Sequence, residues 1–226
     1  MKEQHKPLRA YRTISFITLF LLLAAFLLLL LVGLSLTIIK PIYIMELTAT
    51  SRGQPATSLF TRARFGVWGL CLTSVLDTND RLCFGPRLGY NDVIPDQLIS
   101  LIGISPSTIR TALQGLFVVL ILHLVAAGTS LLSLFFSLFL ASHAATIISL
   151  IFTIITSLLA SVVFAVDLVI AITARDRIPD LTNNGFTVNT GNAVWMVLGA
   201  VIASWLAVIF LSARACYCCG VRRKYY

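Results

Sequence analysis

The chain has 226 residues, of which 58% are hydrophobic and only 12% charged. Soluble domains average about 45–50% apolar and about 25% charged, so this composition excludes a disordered chain and disfavours an ordinary soluble enzyme. The net charge of +8 sits in tails and loops around apolar runs, which points to anionic lipid headgroups rather than nucleic acid; zinc spacings, helix-turn-helix patterns and RNA-binding aromatic motifs are missing from the sequence.

A basic tail, residues 1–13, holds Lys2, Lys6, Arg9 and Arg12. Ile14 to Ile39 then runs for 26 residues without a charge. A bilayer core needs about 20 apolar residues in a helix, whereas the apolar core of a cleaved signal is about 7–15 residues. The run is therefore expected to be a retained first span. Residues 40–111 form a long loop. Ala112 to Ala141 is the second span, with His123 as its titratable group. Residues 142–145 make a short turn. Thr146 to Ile172 is the third span, interrupted by Asp167, and residues 173–192 make a second loop. Ala193 to Ala213 is the fourth span, and residues 214–226 form a tail rich in cysteine and basic residues.

Lysine and arginine near span ends set orientation, and loops beyond about 60 residues count little. The N-terminal tail concentrates four basic residues, and the C-terminal tail has Arg214, Arg222, Arg223 and Lys224. Both termini are expected in the cytoplasm, so residues 40–111 and 173–192 face outward.

That placement divides the cysteines. Cys71 and Cys83 lie in an outward, oxidising loop and can form a disulfide; two free thiols are the alternative. Cys216, Cys218 and Cys219 border the membrane beside basic residues. This context suits reversible palmitoylation. Unmodified thiols are the alternative, and a zinc site fits poorly without a nearby fourth ligand.

In the long loop, Phe65 to Val75 is rich in aromatic and β-branched residues and reads as a strand. Leu82 to Phe84 reads as its partner across the turn cluster Asp77 to Asp80. A Cys71–Cys83 bond would tie that hairpin. Ser105-Pro106 reads as the start of a helix, which brings Arg110 to the outer mouth of the second span.

The run Gly66-Val67-Trp68-Gly69-Leu70-Cys71, followed by Cys83, resembles the claudin-like superfamily. Its claudin members carry Gly-Leu-Trp-x-x-Cys…Cys in the same loop, and Arg110 sits where claudins place an arginine. The upstream tryptophan of that pattern is absent, with Tyr43 in its region. The fungal PalI/Sur-seven family is the closer resemblance: it shares a Trp-Gly-x-Cys element, a second cysteine and a nearby Gly-Tyr, here Trp68 to Cys71, Cys83 and Gly89-Tyr90. The resemblance implies an all-α membrane protein, a four-helix claudin-like bundle topped by a small disulfide-tied extracellular sheet. It also implies a plasma-membrane protein without catalysis. One branch organises cortical patches (eisosome-associated) and supports cell-wall integrity. The PalI branch assists the receptor of ambient-pH signalling.

Polar groups within the spans are the other informative feature. A mid-bilayer carboxylate costs about 2.5–3.5 kcal/mol on insertion scales. Asp167 lies five residues before Ile172, about 7–8 Å below the outer end, and Arg110 and Gln114 fall at similar depth on the second span. A structural pair, a protonated carboxyl, proton or cation sensing, and contact with a partner's span all remain open. Ser149, Thr153, Thr156, Ala160 and Asp167 share one helix face, expected to pack within the bundle, as are Gly199 and Ala203. His123 reads as a buried neutral histidine hydrogen-bonded to a neighbouring helix, with a pH switch as the alternative. His143 falls in the inner turn.

The leading functional expectation is a non-enzymatic membrane organiser or receptor-assembly subunit, in cortical patches or at the division site. Expected partners are membrane lipids, other membrane proteins and further copies of the chain, without nucleic acid, cofactor or metal. A channel or transporter subunit using Asp167 and His123 is the remoter alternative. A membrane-embedded enzyme is disfavoured, because no nucleophile, base and orienting group share a usable spacing in the sequence.

Overall fold

The computed structural model describes residues 6–35, 39, 41–50, 61–67, 70–73, 81–84, 106–139, 143–181 and 184–215. Among these are four long helices, α1 (Lys6–Gly33), α2 (Pro106–Leu138), α3 (His143–Leu181) and α4 (Asn192–Ala215). Five strands accompany them: β1 (Met45–Ala49), β2 (Arg62–Phe65), β3 (Leu70–Thr73), β4 (Arg81–Phe84) and β5 (Phe186–Thr190). Each helix contains a stretch long and apolar enough to cross a membrane: Arg12–Gly33, Ile121–Leu138, Ala144–Asp180 and Asn192–Ala215.

The helix ends follow local chemistry. Helix α2 begins at Pro106, the first-turn position where a missing N–H costs nothing. Helix α1 ends at Gly33, short of the expected span end at Ile39, and Ser35 beyond it bonds to another segment. Helix α3 departs most from expectation. It runs through Ile172 to Leu181 and takes Arg175, Asp176, Arg177 and Asp180 into its last turns, so much of the expected second loop is helical. Ala174, Arg175 and Arg177 are good helix formers, and Pro179 halts the helix within two residues by removing a donor and crowding the preceding turn. Asn184, with φ of 60°, donates its N–H to the Pro179 carbonyl at 2.8 Å. Asparagine is among the few side chains that tolerate this left-handed conformation.

By packing, the chain forms two compact units. One lies within Met1–Leu30, Leu124–Val162 and Val197–Tyr226. Its core joins all four helices through Leu29 of α1, Ala126 and Ala127 of α2, Ala160 of α3 and Ala200 of α4. Small residues at the contact let backbones approach closely, which substitutes for the hydrophobic drive that lipid does not supply. A second cluster holds Leu22, Ala207 and Leu211. The opposite faces are apolar and exposed: on α1, Phe16, Phe20, Leu23 and Leu27 recur at helical spacing, as a lipid-facing stripe should.

The other unit lies within Leu31–His123 and Val163–Met196 and contains the sheet. All neighbouring strands pair antiparallel, in the order β4-β3-β2-β1-β5. The expected single strand from Phe65 to Val75 is broken. Phe65 closes β2 and Leu70 opens β3, and the two strands pair antiparallel; the glycines in this run of sequence weaken a continuous strand. The expected pairing across residues 77–80 is present as β3 with β4. Strands β1 and β5 enlarge the sheet beyond the expected hairpin. This relieves the marginal stability of two strands alone.

Candidate functional site

The strand register sorts the sheet into two faces, since successive side chains alternate. Met45, Ala63 and Val188 point to one face and are buried. Glu46, Arg62, Arg64, Cys71 and Cys83 belong to the other. Cys71 stands directly opposite Cys83 and the two form the disulfide. In the chain-entropy model, closing so short a loop contributes roughly 3 kcal/mol.

The chain leaving β2 at Gly66 and Val67 is anchored from outside the sheet. The fully buried Val67 donates its N–H to Ser35 Oγ at 3.0 Å, and Ser35 is itself fully buried. The hydroxyl thus satisfies a backbone donor that burial would otherwise leave costly. A second anchor joins the start of β1 to the start of α4. Gly191 donates to the Ile44 carbonyl at 2.8 Å. Asn192 Oδ1 accepts from the Tyr43 N–H at 3.3 Å, and its Nδ2 donates to the Pro41 carbonyl at 3.1 Å.

Beside that anchor is a charged cluster that sequence reasoning missed. The Glu46 carboxylate, nearly buried, lies 3.6 Å from Arg64 Nε and 3.9 Å from Arg62 Nε. The Arg64 guanidinium sits 4.9 Å from the centre of the Tyr43 ring, within cation–π range. Burial pushes the Tyr43 phenol up from its usual value, and the charge and hydrogen bonding of Glu46 push the same way against the two arginines. The signal was in the sequence as period-two alternation: Glu46 between Met45 and Leu47, and Arg62 and Arg64 around Ala63.

In the same unit, His123 Nε2 of α2 lies 3.2 Å from Asp167 Oδ2 of α3, with both side chains almost wholly buried. The contact is close enough for an ion pair but lacks hydrogen-bond alignment. Asp167 Oδ1 has no hydrogen-bond partner among the described residues. Asp167 and His123 are thus brought together, whereas the depth reading matches Asp167 to Arg110 and Gln114. Arg110 and Gln114 lie on α2, but their side chains lie outside the described residues.

In the first unit, the hydroxyl stripe of α3 bonds to α2. Ser133 Oγ and Thr153 Oγ1 are 2.5 Å apart, Ser149 Oγ donates to the Ser133 carbonyl at 3.1 Å, and Thr156 Oγ1 donates to Thr129 Oγ1 at 3.1 Å. Phe136 stacks on Phe152 nearby. Gly199 of α4 faces Leu28 of α1, where an added Cβ would come within 3.3 Å of Leu28 Cδ1. Trp205 Nε1 donates to Ser161 Oγ. Arg214, buried in the last turn of α4, bonds to Ser15 Oγ; a cation there also complements the helix dipole.

Of the motif residues, Gly66, Cys71 and Cys83 are placed as described, and Leu70 opens β3. Trp68, Gly69, Gly89, Tyr90 and the cysteines Cys216, Cys218 and Cys219 lie outside the described residues, as does the side chain of His143.

Four long apolar helices and a small antiparallel sheet closed by one disulfide define a four-span membrane protein of claudin-like architecture. The model of the SUR7/PalI family matches residues 14–210, which is most of the chain, and the protein belongs to that family. No curated protein matches it.

Proposed function

We propose that this protein is a non-catalytic component of the plasma membrane, with both termini in the cytoplasm, that organises cortical membrane domains. The observation that carries this reading is the family match across all four helices and the sheet. The geometry is consistent in kind. Buried hydroxyls on α2 and α3 are used in helix–helix bonds, while broad apolar faces remain for lipid and for neighbouring membrane proteins. Acylation of Cys216, Cys218 and Cys219 would add affinity for the inner leaflet.

The same family match favours a second reading, a PalI-type assistant of the ambient-pH receptor. Live imaging of a fluorescent copy at native level, before and after an alkaline shift, separates them. Static cortical patches indifferent to pH support the organiser. Puncta that form or disperse on alkalinisation support the receptor assistant. A signal confined to internal membranes defeats both. In the same cells, Cys71→Ser should disperse the patches or retain the protein internally, because the sheet loses its covalent tie.

A further inference from the structure

The five strands contain three arginines and one acid. Glu46, Arg62 and Arg64 belong by register to a single face, the one opposite the buried Met45, Ala63 and Val188. Arg62 and Arg64 share one carboxylate oxygen, Glu46 Oε1, through their Nε atoms. Among the described residues, two guanidinium groups meet one carboxylate, which leaves a surplus positive charge there, and Arg62 is 58% exposed. Along the next cross-strand row, Thr48, Arg62 and Thr73 stand in line on β1, β2 and β3. Strands lie about 4.8 Å apart, so the cationic position stands between two hydroxyl-bearing ones at that interval.

We infer that this face binds a linear anionic polysaccharide, one carrying carboxylate or phosphate groups, on the outer side of the membrane. The chemistry selects the occupant. Guanidinium forks pair with carboxylate and phosphate in bidentate fashion, and threonine positions beside them suit the hydroxyls of sugar rings. An extended peptide would instead add to a sheet edge, and a helical one would need an apolar groove; this patch is a polar sheet face. Glu46 acts as an internal competitor, pairing with both arginines and lowering their pull on an outside anion.

The outward placement rests on the topology proposed above, so the test keeps binding and sidedness apart. The full chain in zwitterionic nanodiscs, where both faces are accessible, is titrated with labelled polygalacturonate and with neutral dextran. Polygalacturonate should bind, with affinity falling as salt rises, and dextran should not. Arg62→Gln/Arg64→Gln should weaken binding by about tenfold, as expected for loss of charge-assisted hydrogen bonds. Glu46→Gln should tighten it a few-fold, which no merely damaged sheet would do. Binding that survives the double arginine variant would overturn the inference by assigning it to the basic tails, and tighter binding of poly-glutamate than of polygalacturonate would overturn the glycan. Separately, Asn189→Cys should react with a membrane-impermeant maleimide on intact cells. Failure there with nanodisc binding intact would overturn the topology, and labelling without nanodisc binding would overturn the inference alone.

Discussion

His123 Nε2 and Asp167 Oδ2 stand 3.2 Å apart on neighbouring helices, with the two side chains 0% and 2% exposed. Inside a membrane bundle such a pair is a matched set. Removing one partner leaves the other's buried polar atoms without that contact, which costs about 1–3 kcal/mol for a neutral group and more for a charged one, whereas replacing both by apolar groups is often neutral. His123→Leu is therefore expected to be strongly destabilising, and His123→Leu/Asp167→Leu milder than His123→Leu alone. A double-mutant cycle on unfolding in mixed micelles should show a coupling of about 1–3 kcal/mol. Additive single effects would mean the two groups do not act as a pair.

Ser133 meets α3 three times: its Oγ contacts Thr153 Oγ1 and donates to the Ser149 carbonyl, and its own carbonyl accepts from Ser149 Oγ. Side-chain hydrogen bonds between membrane helices average about 0.6 kcal/mol and reach about 1.7. Ser133→Ala should cost about 1 kcal/mol, within that range, and Ile151→Val on the exposed face should cost little. Equal midpoints for the two variants in the same micelle unfolding assay would refute a structural role for the hydroxyl.

The four spans were legible because 18 or more apolar residues in a row permit few other structures. The α3 stripe was legible too, since Ser149, Thr153 and Thr156 recur at helical spacing and all are buried. The hidden parts depend on partners distant in sequence. Strand β5 pairs with β1 across 139 residues between Thr48 and Thr187, and five residues with two threonines and an asparagine carry little strand signal of their own. Asp167 was matched by depth to Arg110 and Gln114, assuming a span that ended at Ile172. The helix continues to Leu181, and Asp167 stands against His123, nine residues further along α2 than Gln114. The Phe65–Val75 reading failed because composition favoured a strand while the glycines at 66 and 69 favoured a turn.

Tyr43 provides a pH-dependent test outside the spans. Its folded pKa is raised above 10.0, first by burial and then by Glu46, so folding favours the neutral phenol. The stability this contributes is fully present below the unfolded pKa near 10 and is lost as pH rises through the folded one. Difference titration of phenolate absorbance, wild type minus Tyr43→Phe, should give a midpoint above 10, and Glu46→Gln should move it back down. A wild-type midpoint at or below 10 would contradict the arrangement.

Gly191 has no room for a side chain. A Cβ there would fall 1.9 Å from the Tyr43 carbonyl oxygen, and that same carbonyl accepts from the Ala193 N–H at 3.2 Å. The neighbouring bonds, Gly191 N–H to Ile44 and the two Asn192 side-chain bonds, leave the two segments no room to part without breaking the anchor. Overpacking of this kind costs about 1–3 kcal/mol or more. Gly191→Ala should lower the thermal midpoint and free the amides of β1 and β5 to hydrogen exchange. Amides of β3 and β4, tied by Cys71–Cys83, should keep their protection, because exchange follows local opening rather than global unfolding alone. Thr190→Ala, at an exposed neighbouring site, is the silent control. Unchanged β1 protection in Gly191→Ala would show that the close approach does not hold the sheet.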